Sequence, residues 1–498
     1  LKNVQKNLLI FSLVLLTSLL LVACNSDSSS GDANGKKSKD KDERFKLSLM
    51  LNLHTPEIPQ DRLEKLLEEK TNTDLDIQWV PDGTYDERVN SAFASGTLPH
   101  AFLVKAGQFV QFKEAVRDGQ FWEIGPYLDE FENLSKLREG TLNNSMIDGK
   151  LYSLYMGRPL SRDGIIYRKD WADKLGINTP KTTVEFYEML KAFTENDPDG
   201  NGKDDTIGLT VREGLGSFNV IASWHGVPNR WGEKEGELLP DFMFPEYIDT
   251  LNYFRDLHSN GYMNHDAPVT SKQDQQALLK NGSAGTYIGS MQDVYGMYND
   301  AVALNPDIVF DVHNYVEGPH GEYGVRSIPG YGSLIMFPKS GIESEAELKK
   351  VIKFFDYLMS TEGANTLIWG VEGEHYEIVD GHAKVLDQDK FDTEIKPYTP
   401  LEIGEPLTNG RYEAFYDYEP ATKSNELYID NDKYVIEDPT VTLDSDTYNK
   451  NAGTLDQIIE DATIQYILGN IDETGFKDSI EKWKNAGGND VIKEYNES

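Results

Sequence analysis

The sequence predicts an α/β protein, and three stretches near its start carry that expectation. Phe45, Leu47, Leu49, Leu51 and Leu53 alternate with mostly polar neighbours, Leu63, Leu66 and Leu67 follow at helical spacing, and Leu75, Ile77 and Trp79 alternate again. A helix-like stretch from Tyr85 to Ser95 then leads through Gly96-Thr97-Leu98-Pro99 to the apolar Ala101-Phe102-Leu103-Val104. Strand, helix, strand, helix, strand implies right-handed crossovers and a largely parallel sheet. In such sheets ligands gather beyond the carboxyl ends of the strands. His54 follows the first strand and Lys105 to Gln108 follow the third, so His54, Lys105 and Gln108 are candidate ligand contacts.

Upstream, Lys2 and Lys6 precede an apolar run from Leu8 to Val22, the charged and hydrophobic regions of an export signal. The run is too short, and too soon followed by polar sequence, for a membrane-spanning helix. Leu21-Val22-Ala23-Cys24 resembles the lipobox of bacterial lipoproteins, which implies cleavage before Cys24 and a diacylglycerol on its sulfur. Residues 1–23 are then a signal peptide. Cys24 is the only cysteine, so no intramolecular disulfide can form and the body must be held by its core. Between Asn25 and Arg44 no aliphatic or aromatic residue exceeds alanine in size, which makes 24–44 a lipidated cysteine followed by a flexible tether.

At 498 residues, 39% of them hydrophobic, the chain can build two or three domains with full-sized cores. Its formal net charge of −36 argues against any role resting on attraction to a phosphate backbone, so no nucleic-acid partner is expected. The same charge keeps the surface away from anionic lipid headgroups, leaving the lipid as the only expected membrane contact.

The α/β pattern continues down the chain. Thr182-Thr183-Val184-Glu185 is a capping box opening a helix whose apolar stripe is Phe186, Met189, Leu190 and Phe193. Ser344-Glu345-Ala346-Glu347 is a second, with Leu348, Val351, Ile352 and Phe355 as its stripe. Ile458 to Leu468 and Phe476 to Lys484 are expected to be helices, and no repeat of solenoid period is visible.

Several pieces in order resemble the extracellular solute-binding lipoproteins of bacterial ABC importers, in particular the alginate-oligosaccharide-binding proteins. They are SGTLPHAF, DGKLYSLYMGRP, IIYRKDWADKLGINTPKTTVEFYEMLKAF, DPDGNGKDD, LLKNGSAGTYIGS, WGVEGEHYE and the terminal FKDSIEKWKNAGGNDVIKEYNE. His100 is a departure, standing where that group usually has aspartate. The resemblance implies a two-lobed fold of the periplasmic-binding-protein type II kind, with an interlobe cleft that closes on its solute and a permease that recognises the closed form. It also implies a monomer held on the outer face of the cell membrane, of the Gram-positive kind. The expected lobes are 45–158 plus about 330–385, and 159–329 plus about 386–498, with crossovers near Gly157 to Ile165 and Gly330 to Ile335.

Asp197-Pro198-Asp199-Gly200-Asn201-Gly202-Lys203-Asp204-Asp205 has oxygen side chains at positions one, three, five and nine and glycine at six. A hard cation wants several oxygens on one tight turn, and this is most of the calcium-loop pattern. Position twelve is Gly208 rather than the bidentate glutamate of an EF-hand. The loop resembles that of the alginate-binding proteins, which implies calcium ligands at Asp197, Asp199, Asn201, the Lys203 carbonyl and Asp205, with a structural role. Thr206 stands where those proteins can use glutamate.

Sugars offer apolar ring faces for stacking and hydroxyls for hydrogen bonds, so a sugar cleft needs aromatics beside polar side chains. Trp224, His225 and Trp231 combine both kinds in one segment; Tyr287 and Gln292 come at and after the end of the strand-like Ala284 to Ile288, and Tyr331 lies in an expected crossover. Trp369 and Glu372 fall in WGVEGEHYE, and Tyr412 and Tyr416 in RYEAFYDY. Arg158 and Arg326 are candidates for bidentate pairing with a carboxylate if the solute is a uronic acid and, equally, for pairing with one of the chain's 84 acidic residues, so the solute's charge class stays open. The function expected is therefore capture of oligosaccharides for import, without catalysis. A lipid-anchored polysaccharide-degrading enzyme, a receptor for a peptide or other solute, and a structural lipoprotein are the alternatives; no HExxH, GxSxG or phosphate-binding loop supports the first.

Overall fold

A computed structural model describes residues 44–55 and 57–498; the signal-like segment, Cys24 and nearly all of the tether lie outside them. β1 (Phe45–Leu53), β2 (Thr73–Pro81) and β3 (Ala101–Lys105) form where alternation predicts them, with helices Arg62–Thr71 and Tyr85–Ser95 between. β4 (Ser153–Gly157), β5 (Asp163–Arg168), β6 (Ile207–Thr210), β7 (Ala284–Ser290), β8 (Phe310–His313) and β9 (Tyr331–Met336) complete two sheets. The first has the order β2-β1-β3-β9-β4 and the second β8-β5-β7-β6.

The expected parallel pairing holds for β1 with β2 and β3. β9, however, runs antiparallel to both β3 and β4, and β5 antiparallel to β7 and β8. The reason is topological. Each is the first strand after a crossover from the other sheet, so it enters at the edge where the parallel strands end. The carboxyl ends of β1 to β4 and the start of β9 thus share one edge, while the start of β5 and the ends of β6, β7 and β8 share another. Residues 158–162 alone separate β4 from β5, so the two edges abut.

Burial follows the side-chain period of two. Ile165 and Tyr167 of β5 enter the core with Phe186, Met189, Leu190 and Phe193, while Ile166 between them packs on the opposite face with Met291 and Val312. The first sheet has its own core, to which helix Glu345–Met359 contributes Leu348, Val351, Ile352 and Phe355. Ile395, Tyr398, Leu401 and Ile403 also belong to that first core. Residues 386–403, expected with the second lobe, therefore pack with the first; their apolar side chains have no signature that tells one core from the other.

Both helix starts form. Thr182 Oγ1 accepts from the Glu185 N–H at 3.1 Å, and the Glu185 carboxylate reaches back to the Lys181 N–H at 2.7 Å. Ser344 and Glu347 do likewise, at 3.3 Å and, to the Glu343 N–H, 2.7 Å. The helix expected from Ile458 begins earlier, at Asp446, capped by the Ser445 hydroxyl at 3.0 Å from the Tyr448 N–H. Its early turns are mostly polar and carry no apolar stripe for periodicity to detect. Among the described residues no helix is long and apolar enough to cross a membrane.

Candidate functional site

The edge of the first sheet is polar and held in place. Lys105 Nζ lies 3.0 Å from Asp82 Oδ1 and 3.7 Å from Asp86, and Asn52 Nδ2 donates to Asp82 at 2.8 Å. Hydrogen bonds from Asn52 and Lys105 hold the Asp82 carboxyl below the usual range. Desolvation, with Lys396 nearby, lowers the pKa of His54 and so favours its neutral form. The Tyr85 hydroxyl, shared between the Met50 and Leu103 carbonyls at 2.9 and 2.8 Å, ties helix Tyr85–Ser95 to β1 and β3 just behind this edge.

Where the edges meet, three passes of the chain are laced together. The Gly157 N–H donates to the Gly404 carbonyl at 2.8 Å, the Gly404 N–H to the Tyr155 carbonyl at 2.9 Å, and the Arg158 N–H to the Gly330 carbonyl at 2.9 Å. A Cβ on Gly157 would fall 2.7 Å from the Gly404 oxygen, so only glycine allows this approach. Asn431, fully buried, donates through Nδ2 to the carbonyls of Asp163 (3.0 Å) and Ser161 (3.3 Å). Its Oδ1 accepts from Asn314 Nδ2 at 3.0 Å and the Tyr323 hydroxyl at 3.3 Å. Glu405, next to the Gly404 contact, has its pKa pushed up by burial.

Of the residues expected to meet a ligand, His54, Lys105, Gln108 and Arg158 stand at or just beyond the first edge, and Gln292 just beyond β7 on the second. Tyr416 lies beside Gln292 and packs on Tyr295 at 4.9 Å. Tyr412 is exposed, its carbonyl accepting from Trp369 Nε1 at 3.0 Å. Arg326 reaches the edge but is occupied: its Nε lies 3.2 Å from Asp163 Oδ2. Tyr331 starts β9 at the edge, yet it is only 6% exposed and its hydroxyl donates to the Asn144 carbonyl at 3.3 Å.

Five further candidates are buried in the cores and are corrected. Trp224 is 1% exposed and meets Phe186 edge-on at 5.7 Å inside the second core. His225 is buried against Thr250 and Tyr253, with burial lowering its pKa to about 4. Trp231 packs on Tyr495 at 4.9 Å, Tyr287 donates to Asp293 at 2.7 Å, and Trp369 is buried against Tyr376 and Phe391. These five are core residues, in keeping with the usual burial of large aromatics. Glu372 is exposed on the turn before the hairpin Tyr376–Val379 and His382–Val385. Sequence reasoning passed over Arg162, Asp82 and Arg411; the position of Arg162 directly before β5 was the signal available.

The acidic loop folds as a tight turn. Asp197 accepts from the N–H groups of Gly200, Asn201 and Gly202, each at 3.0 Å, and Asn201 Nδ2 lies 2.7 Å from Asp199 and 3.0 Å from Asp205. Gly202 takes the left-handed φ of 77° that the sixth position requires. No Lys or Arg among the described residues pairs with these carboxylates, although Lys174 Nζ donates to the Pro198 carbonyl at 2.8 Å. Asp197, Asp199, Asp205 and the Lys203 carbonyl supply the oxygen types a hard cation takes on one exposed turn, while Asn201 Oδ1 accepts from the Lys203 N–H at 2.8 Å. Thr206 is turned away, donating to the Phe193 carbonyl at 2.8 Å. Glu374, His375 and Glu394 also cluster, but their atoms are committed. His375 Nδ1 accepts from the Val371 N–H at 3.1 Å, so Nε2–H faces Glu394, and Glu374 is held by Lys390 and Arg62.

Of two surface recesses, one lies away from the abutting edges and the other opens beside Val211 and Arg212, just past the end of β6. The first, of about 550 Å³, runs between the hairpin Trp231–Pro240 and the last helix; the second also borders His258 and Met263. Neither contains an expected ligand contact.

Comparison with known proteins agrees with this architecture. The chain is 39% identical, over 98% of each chain, to the polygalacturonan/rhamnogalacturonan-binding protein YtcQ of Bacillus subtilis. It is 35% identical to lipoprotein LipO of the same organism, over 97% of this chain and 96% of that one. A solved solute-binding protein from Bifidobacterium longum infantis, described as HMO-binding and ABC-transporter-associated, superposes with a TM-score of 0.71 at 18% identity, over 92% of this chain and 98% of that one. The S. pneumoniae substrate-binding protein FusA, as an EF-hand mutant in complex with fructo-nystose, gives 0.62 at 18%, over 91% and 98%. The family description "bacterial extracellular solute-binding protein" matches residues 56–365. With abutting strand edges between two sheets and this kinship over its whole length, the chain belongs to the bacterial extracellular solute-binding proteins.

Proposed function

We propose that the protein is a lipid-anchored receptor that captures acidic, galacturonate-containing oligosaccharides outside the cell and presents them to an ABC permease. The observation that carries this reading is the meeting of the two sheet edges at residues 158–162, with Arg158 following β4 on one edge and Gln292 following β7 on the other. A solute touching both edges makes contacts that only a closed arrangement provides, so it shifts an open/closed equilibrium towards the form a permease recognises. The galacturonate class rests on the kinship with YtcQ, and anchoring through Cys24 on the lipobox and the kinship with LipO. The site binds and releases its solute unchanged.

A thermal-shift screen of the soluble body tests this. Oligogalacturonides are expected to raise the melting temperature with concentration while releasing no new reducing ends. New reducing ends would make the protein an enzyme. Stabilisation by peptides alone, or by no solute, would replace the sugar reading.

Calcium is proposed at Asp197, Asp199, Asn201, the Lys203 carbonyl and Asp205, where it would pin the loop between helix Thr183–Glu195 and β6. The EF-hand of FusA supports a cation site in a protein of this fold. Asp199→Ala is expected to abolish the calcium-dependent rise in melting temperature that the parent shows. Equal rises in mutant and parent would remove the ion from this loop.

A further inference from the structure

We infer that Arg158 and Arg162 form a carboxylate subsite spanning the two lobes, so that the receptor takes free uronic acids and rejects their esters. This rests on the oligosaccharide reading above and specifies its substrate class. The chain carries 84 acidic and 48 basic residues, so an arginine near other charges ordinarily finds a carboxylate. Around the crossovers three do: Arg138 with Asp432 at 2.7 Å, Arg326 with Asp163 at 3.2 Å, and Arg411 with Glu402 at 2.5 Å. Among the described residues Arg158 and Arg162 have no carboxylate within ion-pair distance, although they bracket the same crossover.

Their placement is built rather than loose. Arg158 follows β4, its N–H held by the Gly330 carbonyl, and its side chain lies over β9 in the space that Gly332 leaves open. A Cβ on Gly332 would come within 2.7 Å of Arg158 Nε. Arg162 immediately precedes β5, its carbonyl accepting from the Met291 N–H at 3.0 Å. Arg158 therefore belongs to the edge of the first sheet and Arg162 to that of the second. Desolvation, together with the neighbouring positive charge of Arg162, lowers the pKa of Arg158, so an anion brought between them relieves the repulsion. The planar fork of a guanidinium matches a carboxylate, and a ligand that engages both arginines links the lobes.

The chemistry has a consequence upstream. A galacturonate carried as its methyl ester presents no anion. Ester hydrolysis, consuming one water and releasing one methanol per carboxylate freed, must then precede capture.

The test compares tri-galacturonate with its fully methyl-esterified form by calorimetry on the parent, Arg158→Gln, Arg162→Gln and Arg158→Lys proteins. The parent is expected to bind the acid about ten- to a hundred-fold more tightly than the ester, the range of a charge-assisted contact. Both Gln variants should lose that preference, their affinity for the acid falling about ten- to a hundred-fold towards that for the ester, and Arg158→Lys should recover only part of it. Equal affinity of the parent for acid and ester overturns the subsite while leaving the sugar receptor intact. Variants that weaken acid and ester alike overturn it too, by showing a structural role. A parent that binds neither form overturns both readings.

Discussion

Trp224→Ala is expected to cost about 3–5 kcal/mol of stability, as large aromatic-to-alanine changes in packed cores do. Trp224 ends helix Gly216–Trp224, 1% exposed, with its ring against Phe186 and its carbonyl so close to Gly318 that a Cβ there would lie 1.8 Å away. Truncation empties a site that neither the helix nor the loop can collapse into. In urea the midpoint should fall with little change in slope. At a temperature where the variant is still folded, solute affinity should stay within about two-fold of the parent, well under the tenfold that 1.4 kcal/mol represents. A tenfold loss of affinity with stability intact would return Trp224 to the binding face.

Asn431→Ala is expected to cost about 2–4 kcal/mol, because each buried polar group left without its partner costs roughly 1–3 kcal/mol. The amide serves the carbonyls of Ser161 and Asp163, so its removal takes the donor from both acceptors at the crossover, while Asn314 keeps Asp430 and Tyr323 keeps the Asn314 carbonyl. It also frees the start of β5, beside Arg162. Denaturation should report the loss of stability, and small-angle scattering of the unliganded variant a broader distribution of lobe separations. Unchanged stability would mean that water replaces the amide and that the crossover is fixed by its backbone bonds alone.

Local physics made much of the fold legible. The alternation of β1 and β2, the caps at Thr182 and Ser344 and the acidic turn at Asp197 are each settled within a dozen residues, and each is present. Long-range packing was not legible in the same way. Trp224, His225 and Trp231 stand among polar neighbours and read as a sugar-binding segment. Yet every residue of helix Gly216–Trp224 after the first, except Asn219, is buried, the mark of a helix surrounded by core. The arginines show the same limit. Arg158 and Arg326 look alike in sequence, and only the contact between Asp163 and Arg326, between residues far apart in the chain, leaves one occupied and the other available. The antiparallel entry of β9 was hidden because its neighbours β3 and β4 are complete long before it.

That insertion bears on how the protein is made. β9 lies between β3 and β4, yet 173 residues separate the end of β4 at 157 from its start, counting 158–330. A chain emerging amino-terminus first must hold β3 with an unpaired flank, and β4 without a partner strand, until the whole stretch between has followed. Pairings of such sequence separation form slowly, and bare strand edges invite association with other chains. The first lobe, begun earliest, is thus finished late, and the period before residue 336 appears is when the nascent protein most needs protection.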